Sequence, residues 1–146
     1  LSGMNSMEQI KENIAVAEET QINALTAADF AVYEQAKEAI NAVVKAACTG
    51  CGYCMPCPHG VDIPTCFRCY NVKYADGWYK GLKEYFLCTS MKKEVSAASR
   101  CIGCGKCEKV CPQHLPIRSL LKAVEKEMET PLYRLAKKGA DLLMRF

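Results

Sequence analysis

The chain has 146 residues, of which 50% are hydrophobic and 24% are charged, and its formal net charge is +3. This composition is typical of a folded domain and excludes both a disordered chain and a large multidomain enzyme. No apolar run approaches the roughly 18 residues that a membrane span needs. The 11 cysteines are an odd number, which predicts thiolate chemistry in a reducing, cytoplasmic compartment rather than a disulfide framework.

The N-terminal segment predicts two helices. The chain begins LSGMNSMEQIKENI, without a basic leader or an apolar signal core, so we expect a piece of a longer protein. Ser6 followed by Gln9 is a capping-box pattern and starts the first helix, while a strand end is expected at Leu1. Thr26 with Asp29 starts the second helix, which is expected to stop at the first group of cysteines.

The rest of the chain also predicts helices, from proline starts, glycine stops and apolar periodicity. The expected helices cover 64–75, 78–87, 91–99, 116–128 and 131–146. The last one places basic side chains opposite apolar ones, which favours docking on the parent protein over a membrane surface. Because strand-like alternation is scarce, the predicted fold class is all-α.

Two near-repeats of cysteine are the strongest signal in the sequence. The first cysteine loop, 48–58, reads CTGCGYCMPCP, and the second cysteine loop, 101–112, reads CIGCGKCEKVCP. Three thiolates spaced by two residues wrap around one iron–sulfur cluster. The glycines permit the positive φ that brings backbone N–H groups close to sulfur. The sequence therefore predicts two [4Fe–4S] clusters.

The ligand sets follow from the bacterial pattern Cys-x2-Cys-x2-Cys-x3-Cys-Pro, in which the fourth cysteine completes the other cluster. The second cysteine loop fits this pattern, whereas only two residues separate Cys54 from Cys57 in the first. The predicted ligands of the first cluster are Cys48, Cys51, Cys54 and Cys111. The predicted ligands of the second cluster are Cys101, Cys104, Cys107 and Cys57. Cys66 or Cys69 is the alternative to Cys57.

Zinc is the alternative metal, and free thiols or disulfides are further alternatives. A zinc ribbon uses two cysteine pairs and four ligands, so the third cysteine of each loop would be surplus. Cys66 and Cys69 lie three residues apart on a predicted helix and are expected to face inward as small apolar side chains. His59 and His114 are expected on the loop surface. The aromatic residues between the loops are expected in the core.

Charge is segregated along the chain. Residues 1–47 carry three basic and seven acidic side chains, whereas residues 68–126 carry twelve basic and five acidic ones. Aromatic residues do not interleave with the basic ones, so we expect no nucleic-acid binding. The alternatives are a docking site for an acidic ferredoxin or flavodoxin and a solvated surface. The basic residues concerned are Lys73, Lys80, Lys83, Lys92, Lys93, Arg100, Lys106 and Lys109.

The segments CTGCGYCMPCPHGVDIP and CIGCGKCEKVCPQHLPI resemble the C-terminal ferredoxin-like region of aldo/keto reductases that carry an iron–sulfur tail. LSGMNSMEQIKENI is similar to the last strand and helix of the reductase (β/α)8 barrel, where the family binds NADP. That resemblance implies NADP contacts at Gly3, Asn5, Gln9, Glu12 and Asn13, with Gln9 replacing the basic residue of many relatives. The family's catalytic Asp, Tyr, Lys and His come from earlier strands, so no catalytic residue is predicted and enzyme activity of this chain is left open.

The two loops with a helical insertion also resemble α-helical ferredoxin domains, as in the iron–sulfur subunits of succinate dehydrogenase and heterodisulfide reductase. The implied organisation is a barrel remnant over 1–46, a two-cluster domain over 47–130 and an amphipathic helix over 131–146. The implied function is electron transfer to or from the oxidoreductase barrel of the same chain. The alternatives are a subunit of a heterodisulfide-reductase-like complex and a structural or sensing metal module.

Overall fold

The computed structural model describes residues 3–92 and 94–143. Within those ranges the chain is helical and forms no strand, which confirms the predicted all-α class. The strand end expected at Leu1 lies outside the described residues. The chain divides into two compact units, Leu1–Ala39 and Ile40–Phe146. The domain boundaries predicted after residues 46 and 130 stay predictions.

The first unit contains helix α1, Met7–Glu19, and most of helix α2, Ala27–Val43. The hydroxyl of Ser6 accepts a hydrogen bond from the Gln9 backbone N–H at 3.3 Å. At the start of α2, the Asp29 carboxylate accepts from the Thr26 backbone N–H at 2.7 Å, and the Thr26 hydroxyl accepts from the Asp29 N–H at 3.3 Å. Both predicted helix starts are confirmed because side chains satisfy N–H groups that the first turn leaves unpaired.

The second unit is built around helix α3, Ile63–Ala75, which packs against α4, Trp78–Tyr85, and α6, Ile117–Met128. A short helix α5, Lys106–Lys109, precedes α6, and α7, Pro131–Leu143, follows it. These elements enclose a buried core, whose large, fully buried apolar side chains include Val61, Ile63, Phe67, Tyr85, Ile117, Leu121, Val124 and Met128. No described helix is long and apolar enough to cross a membrane.

The segment after α4 departs from the sequence prediction. A π-helical turn, Phe86–Ser90, follows α4, and a 3₁₀ turn, Ala98–Arg100, precedes the second cysteine loop. The described residues between these turns are not helical, so the helix predicted over 91–99 is wrong. The Ser96 N–H donates to the Thr89 carbonyl at 2.8 Å, and the Ser96 carbonyl accepts from the Asp62 N–H at 3.0 Å. These distant partners replace the helical ones.

Burial of the aromatic residues differs within each helix. Phe67, Tyr70 and Tyr85 lie in the core as expected, whereas Trp78 and Tyr79 are 51% and 69% exposed. The expectation that the whole aromatic group is core is therefore wrong for the outer face of α4 and for Tyr74 on α3, which is 37% exposed. The predicted burial of both cysteines of α3 is confirmed.

A buried polar network fixes the entry to the second cysteine loop. The Glu129 carboxylate accepts hydrogen bonds from the Tyr85 hydroxyl at 2.8 Å and the Ser99 N–H at 3.0 Å. The Tyr85 oxygen in turn accepts from the Ala98 N–H at 2.8 Å. Burial raises the pKa of Tyr85, which keeps its hydroxyl protonated as a donor. The backbone just ahead of Cys101 is thus held against α4 and the end of α6.

Candidate metal centres

The paired glycines of the two cysteine loops share a backbone conformation as well as a place in the sequence pattern. Gly50 and Gly52 have φ values of +70° and +78°, and the equivalent Gly103 and Gly105 both have +75°. A Cβ added at Gly50, Gly52 or Gly103 would meet no atom within 4 Å. The backbone conformation, rather than lack of space, therefore requires glycine at these positions.

Helix α3 anchors the chain just ahead of the first cysteine loop. The Asn71 side-chain oxygen accepts hydrogen bonds from the Lys45 and Ala46 backbone N–H groups, both at 2.9 Å. Its amide nitrogen donates to the Ala46 carbonyl at 2.7 Å. One side chain thus satisfies three backbone groups after the end of α2, which directs the chain toward Cys48.

Two other contacts hold the second cysteine loop in place. The Glu108 carboxylate accepts from the backbone N–H and the Nε of Arg118, both at 2.8 Å, and so ties α5 to the first turn of α6. The Arg100 Nε donates to the His59 carbonyl at 2.9 Å. This second contact joins the residue before Cys101 to the chain just after the first cysteine loop, so the two loops lie side by side.

The eight predicted ligands line two cavities. The first cavity has a volume of about 20 Å³, and its cysteines are Cys48, Cys51, Cys54 and Cys111. The second cavity has a volume of about 190 Å³, and its cysteines are Cys54, Cys57, Cys101, Cys104 and Cys107. Each cavity therefore brings together three cysteines of one loop and the last cysteine of the other, while Cys54 lines both. Which sulfurs bind metal stays a prediction.

The cavity walls are largely apolar. Ile63, in the first turn of α3, lines both cavities, Phe67 and Ile117 line the first, and Leu121 lines the second. Because all four side chains are buried, they keep water from this side of the sulfurs. Low water access strengthens the electrostatic effect of nearby amides and charges on whatever the sulfurs bind.

This environment changes the pKa of two of the thiols. Burial raises the pKa of Cys54 and of Cys107, and hydrogen bonds from backbone N–H groups act in the opposite direction. Thiolates, not thiols, bind metal, so metal uptake at these positions displaces protons. At least four cysteines line each cavity, with glycine-rich backbone beside them, and this donor set fits a [4Fe–4S] cluster.

The remaining cysteines lie elsewhere. Cys66, Cys69 and Cys88 line neither cavity, whereas Cys57 lines the second one. His114 is exposed and His59 is half-buried beside that cavity. Among the described residues, no group of three or more His, Cys, Asp or Glu side chains is arranged to hold a single metal ion.

The predicted NADP contacts belong to the first unit. Gly3 and Asn5 precede α1, and Gln9, Glu12 and Asn13 lie on it, all of them exposed. The Gln9 side-chain oxygen accepts from the Asn5 N–H at 2.9 Å. No observation on these residues tests cofactor binding, so the five contacts stay predictions.

The sequence prediction did not include the side chains that position the loops. Asn71 lies 25 residues from the backbone that it holds, and Arg118 lies 10 residues from Glu108. Neither pair stands at a spacing that a helix or a tight turn explains. An Asn on the core-facing side of a predicted helix was the one available signal, because a buried amide needs hydrogen-bond partners.

Residues 47–115 match the family model described as a 4Fe-4S dicluster domain. The matched stretch contains both cysteine loops and the helices between them. It supports iron–sulfur binding and indicates electron transfer. No curated protein and no solved structure matches the chain. The resemblance to an aldo/keto reductase therefore has no support from these comparisons.

Proposed function

We propose that the second unit is an electron-transfer module that carries two [4Fe–4S] clusters. The proposed ligands of the first cluster are Cys48, Cys51, Cys54 and Cys111. The proposed ligands of the second cluster are Cys57, Cys101, Cys104 and Cys107. The observation that carries the proposal is the crossed lining of the two cavities, three cysteines from one loop and one from the other. When bound, each cluster supplies a site that accepts and releases one electron.

The chain itself contributes proximity and insulation. Cys54 and Ile63 line both cavities, so the two sites share a wall and are neighbours. The buried apolar walls exclude water, and the glycine-rich loops offer N–H groups toward the sulfurs, which together set the potentials at which electrons are taken up.

Anaerobic reconstitution with iron and sulfide tests the proposal. We expect about eight iron atoms per chain, a broad visible absorption band and a low-potential EPR signal after one-electron reduction. A colourless product with stoichiometric zinc would overturn it in favour of a structural zinc module. Clusters that break down on reduction would favour a structural or sensing role.

Double variants test the crossed ligand sets. Cys48→Ser with Cys111→Ser removes two ligands of the same proposed cluster, so we expect about four iron atoms to remain per chain. Cys101→Ser with Cys111→Ser removes one ligand from each, so we expect nearly complete loss of iron. If the first pair loses both clusters and the second pair loses one, the loops are not crossed. Cys66→Ser, outside both sets, is the control.

We further propose that an acidic redox protein, such as a ferredoxin or flavodoxin, docks over the second cavity. Tyr53 and Ile102, which line it, are 70% and 66% exposed. Lys106 and Arg118 line the same cavity, and of these two Arg118 is paired with Glu108. Exposed apolar side chains with cations around them suit a partner with an acidic rim.

Other members of the predicted basic set are engaged within the chain. Lys73 pairs with Glu127, Lys80 with Asp76 and Lys92 with Asp62. In each pair the acid offsets the positive charge that the lysine would offer to a partner. Lys93 lies outside the described residues. The uncompensated charge near the clusters is thus concentrated at the second cysteine loop.

The salt dependence of reduction tests this partner. We expect reduction by flavodoxin hydroquinone to slow markedly as ionic strength rises, and to slow further in Lys106→Glu with Lys109→Glu. Lys122→Glu with Lys126→Glu, an equal charge change on exposed residues of α6, is the control. Reduction by dithionite is the second control, because it depends on the clusters and not on docking of a protein partner. Flavodoxin reduction rates that change neither with ionic strength nor in Lys106→Glu with Lys109→Glu would exclude this docking site.

The aldo/keto reductase barrel as second redox partner, with NADP at α1, is a proposal that rests on the sequence resemblance. Exposure of the five predicted contact residues is compatible with it. The encoded sequence upstream of Leu1 tests it directly. About seven preceding strand–helix pairs would support it, and a start codon near residue 1 would favour a separate subunit of a heterodisulfide-reductase-like complex.

A further inference from the structure

Two of the three cysteines outside the metal centres converge on one guanidinium group. The Arg68 Nη2 lies 3.8 Å from the Cys69 Sγ and 3.7 Å from the Cys88 Sγ. The Nη1 of the same side chain donates to the Glu84 carboxylate at 2.7 Å. Glu84 thereby fixes the guanidinium in a position where one nitrogen contacts both sulfur atoms.

The two thiols come from different elements and differ in exposure. Cys69 lies on α3 and is fully buried, whereas Cys88 lies on the π-helical turn and is half-buried. Helix α3 contacts this turn directly. Cys66, one turn earlier on α3, contacts the Ser96 carbonyl instead, at 3.8 Å between sulfur and oxygen. Cys88 is thus the thiol that a small oxidant reaches, with Cys69 behind it.

The positive charge of Arg68 and the burial of Cys69 give the two cysteines different roles. Arg68 places one positive charge beside both sulfurs, and the thiolate is the form of cysteine that reacts with peroxides. Burial raises the pKa of Cys69 to about 11, although Arg68 acts against that rise. Cys69 therefore remains a thiol until its neighbour has been oxidised.

We propose that Cys88 and Cys69 form a peroxide-sensitive dithiol, separate from the metal centres and independent of the proposed electron transfer. The Cys88 thiolate attacks one oxygen of hydrogen peroxide, the O–O bond breaks, and Cys88 sulfenic acid and hydroxide form. The Cys69 sulfur then attacks the Cys88 sulfur, the S–O bond breaks, and the hydroxyl leaves with the Cys69 proton as water. Two thiols are oxidised to one disulfide while one peroxide is reduced to two waters.

The disulfide would fasten α3 to the π-helical turn. Because Ile63 in the first turn of α3 lines both cavities, this cross-link would act on the helix that walls both metal centres.

Peptide mapping tests the proposal, because the sequence separates the relevant thiols. Trypsin releases CYNVK, residues 69–73, and EYFLCTSMK, residues 84–92, each with a single cysteine. Cys66 shares its peptide with the first cysteine loop. The reconstituted chain is treated with one equivalent of hydrogen peroxide, quenched with iodoacetamide and digested without reduction. We expect the 69–73 and 84–92 peptides to be cross-linked at least tenfold more than either is to any other peptide.

Variants distinguish this reaction from general oxidation. Cys88→Ser is expected to abolish the cross-link and leave Cys69 fully alkylated. Cys69→Ser, with Cys69→Ala as a second choice if the serine is not tolerated, is expected to leave a sulfenic acid on Cys88 that dimedone traps. Cys66→Ser is the control and keeps the cross-link. A Cys88 that stays reduced, or that proceeds to sulfinic acid while Cys69 remains a free thiol, overturns the proposal. If reconstitution fails, the metal-free chain is treated with peroxide and the same two peptides are mapped.

Discussion

Glu127 is the residue through which α6 is bound most firmly to α3. Its carboxylate accepts hydrogen bonds from the Tyr70 hydroxyl at 2.7 Å, the Lys73 Nζ at 2.7 Å and the Tyr74 hydroxyl at 2.6 Å. Burial opposes ionisation of Glu127, but these hydrogen bonds outweigh it and lower the pKa of Glu127 from 4.5 to about 2. The ionised form is therefore the one that the folded state stabilises.

We expect Glu127→Gln to lower the free energy of unfolding by about 2 kcal/mol at pH 7, because it removes the charge that three donors share. A depressed pKa gives stability that is present above the unfolded pKa and is lost as pH falls from about 4.5 toward about 2. The difference between the free energies of unfolding of the variant and the parent chain, measured by denaturation, should therefore stay nearly constant from pH 7 to about pH 5 and narrow as pH falls from about 4.5 toward about 2.

Glu125→Gln is the matched control on the same helix. Glu125 is 40% exposed and its carboxylate lies 3.7 Å from the Arg134 guanidinium, so we expect a change below about 1 kcal/mol. An equal effect of the two substitutions, or a Glu127 effect that does not depend on pH, would contradict the assigned role of Glu127.

At the scale of elements, Gly81 sets how closely α4 approaches α3. A Cβ added at Gly81 would lie 2.5 Å from the Lys73 Cα and 2.6 Å from its backbone nitrogen. Backbone atoms of a packed helix do not move aside as the end of a flexible side chain does. The two helices therefore cross at a distance that only glycine allows here.

We expect Gly81→Ala to lower the free energy of unfolding of the iron-reconstituted chain by about 1–3 kcal/mol, because the added methyl group forces α3 and α4 apart. The melting temperature followed by circular dichroism measures this. Gly139→Ala is the control, since Gly139 lies within α7 and an added Cβ there meets no atom within 4 Å. That substitution should be neutral or stabilise by up to about 1 kcal/mol. Comparable losses at both positions would show that the close crossing is not the cause.

Elements were predictable from sequence where local chemistry decides them. Capping residues at Ser6 and Thr26 and the prolines at 64 and 131 act on their own helix, so each start could be inferred. The segment after Thr89 was not predictable, because its backbone pairs with Asp62, which is distant in sequence. Polar composition alone does not distinguish such a segment from an exposed helix.

At the scale of the whole molecule, the candidate site divides in the same way. The cysteine spacing is local, so the sequence predicted both ligand sets whose residues the cavities bring together. The anchors of the loops, Asn71 and the Glu108–Arg118 pair, act across the fold, and the position of Asn71 on a predicted helix was their one sequence signal. The open face of α4 likewise escaped the prediction, because hydropathy does not say which apolar side chains find a partner. For α7, in contrast, the sequence predicted an apolar face that docks outside this core. Leu132 and Leu135 remain 65% and 68% exposed.

The helices of the second unit share a buried core, part of which also lines the metal centres. Phe67, Tyr85, Leu121 and Val124 are almost fully buried against one another across α3, α4 and α6. The hydrogen bonds from the Tyr85 hydroxyl and the Ser99 N–H to Glu129, which involve no thiolate, hold the end of α6 to this core. The cysteine loops, in contrast, contain little regular structure beyond α5.

We therefore expect removal of iron to make the cysteine loops more mobile without unfolding the helices. Metal binding supplies folding free energy mainly where the ligands are, and the helical core has its own buried apolar surface. Chelation of the reconstituted chain should leave most of the helical circular dichroism signal. Hydrogen exchange should accelerate at least tenfold in peptides covering 46–68 and 101–118, and little in 119–128. Loss of more than about half of the helical signal on chelation would show instead that the clusters organise the whole unit, as they do in domains that fold only when loaded.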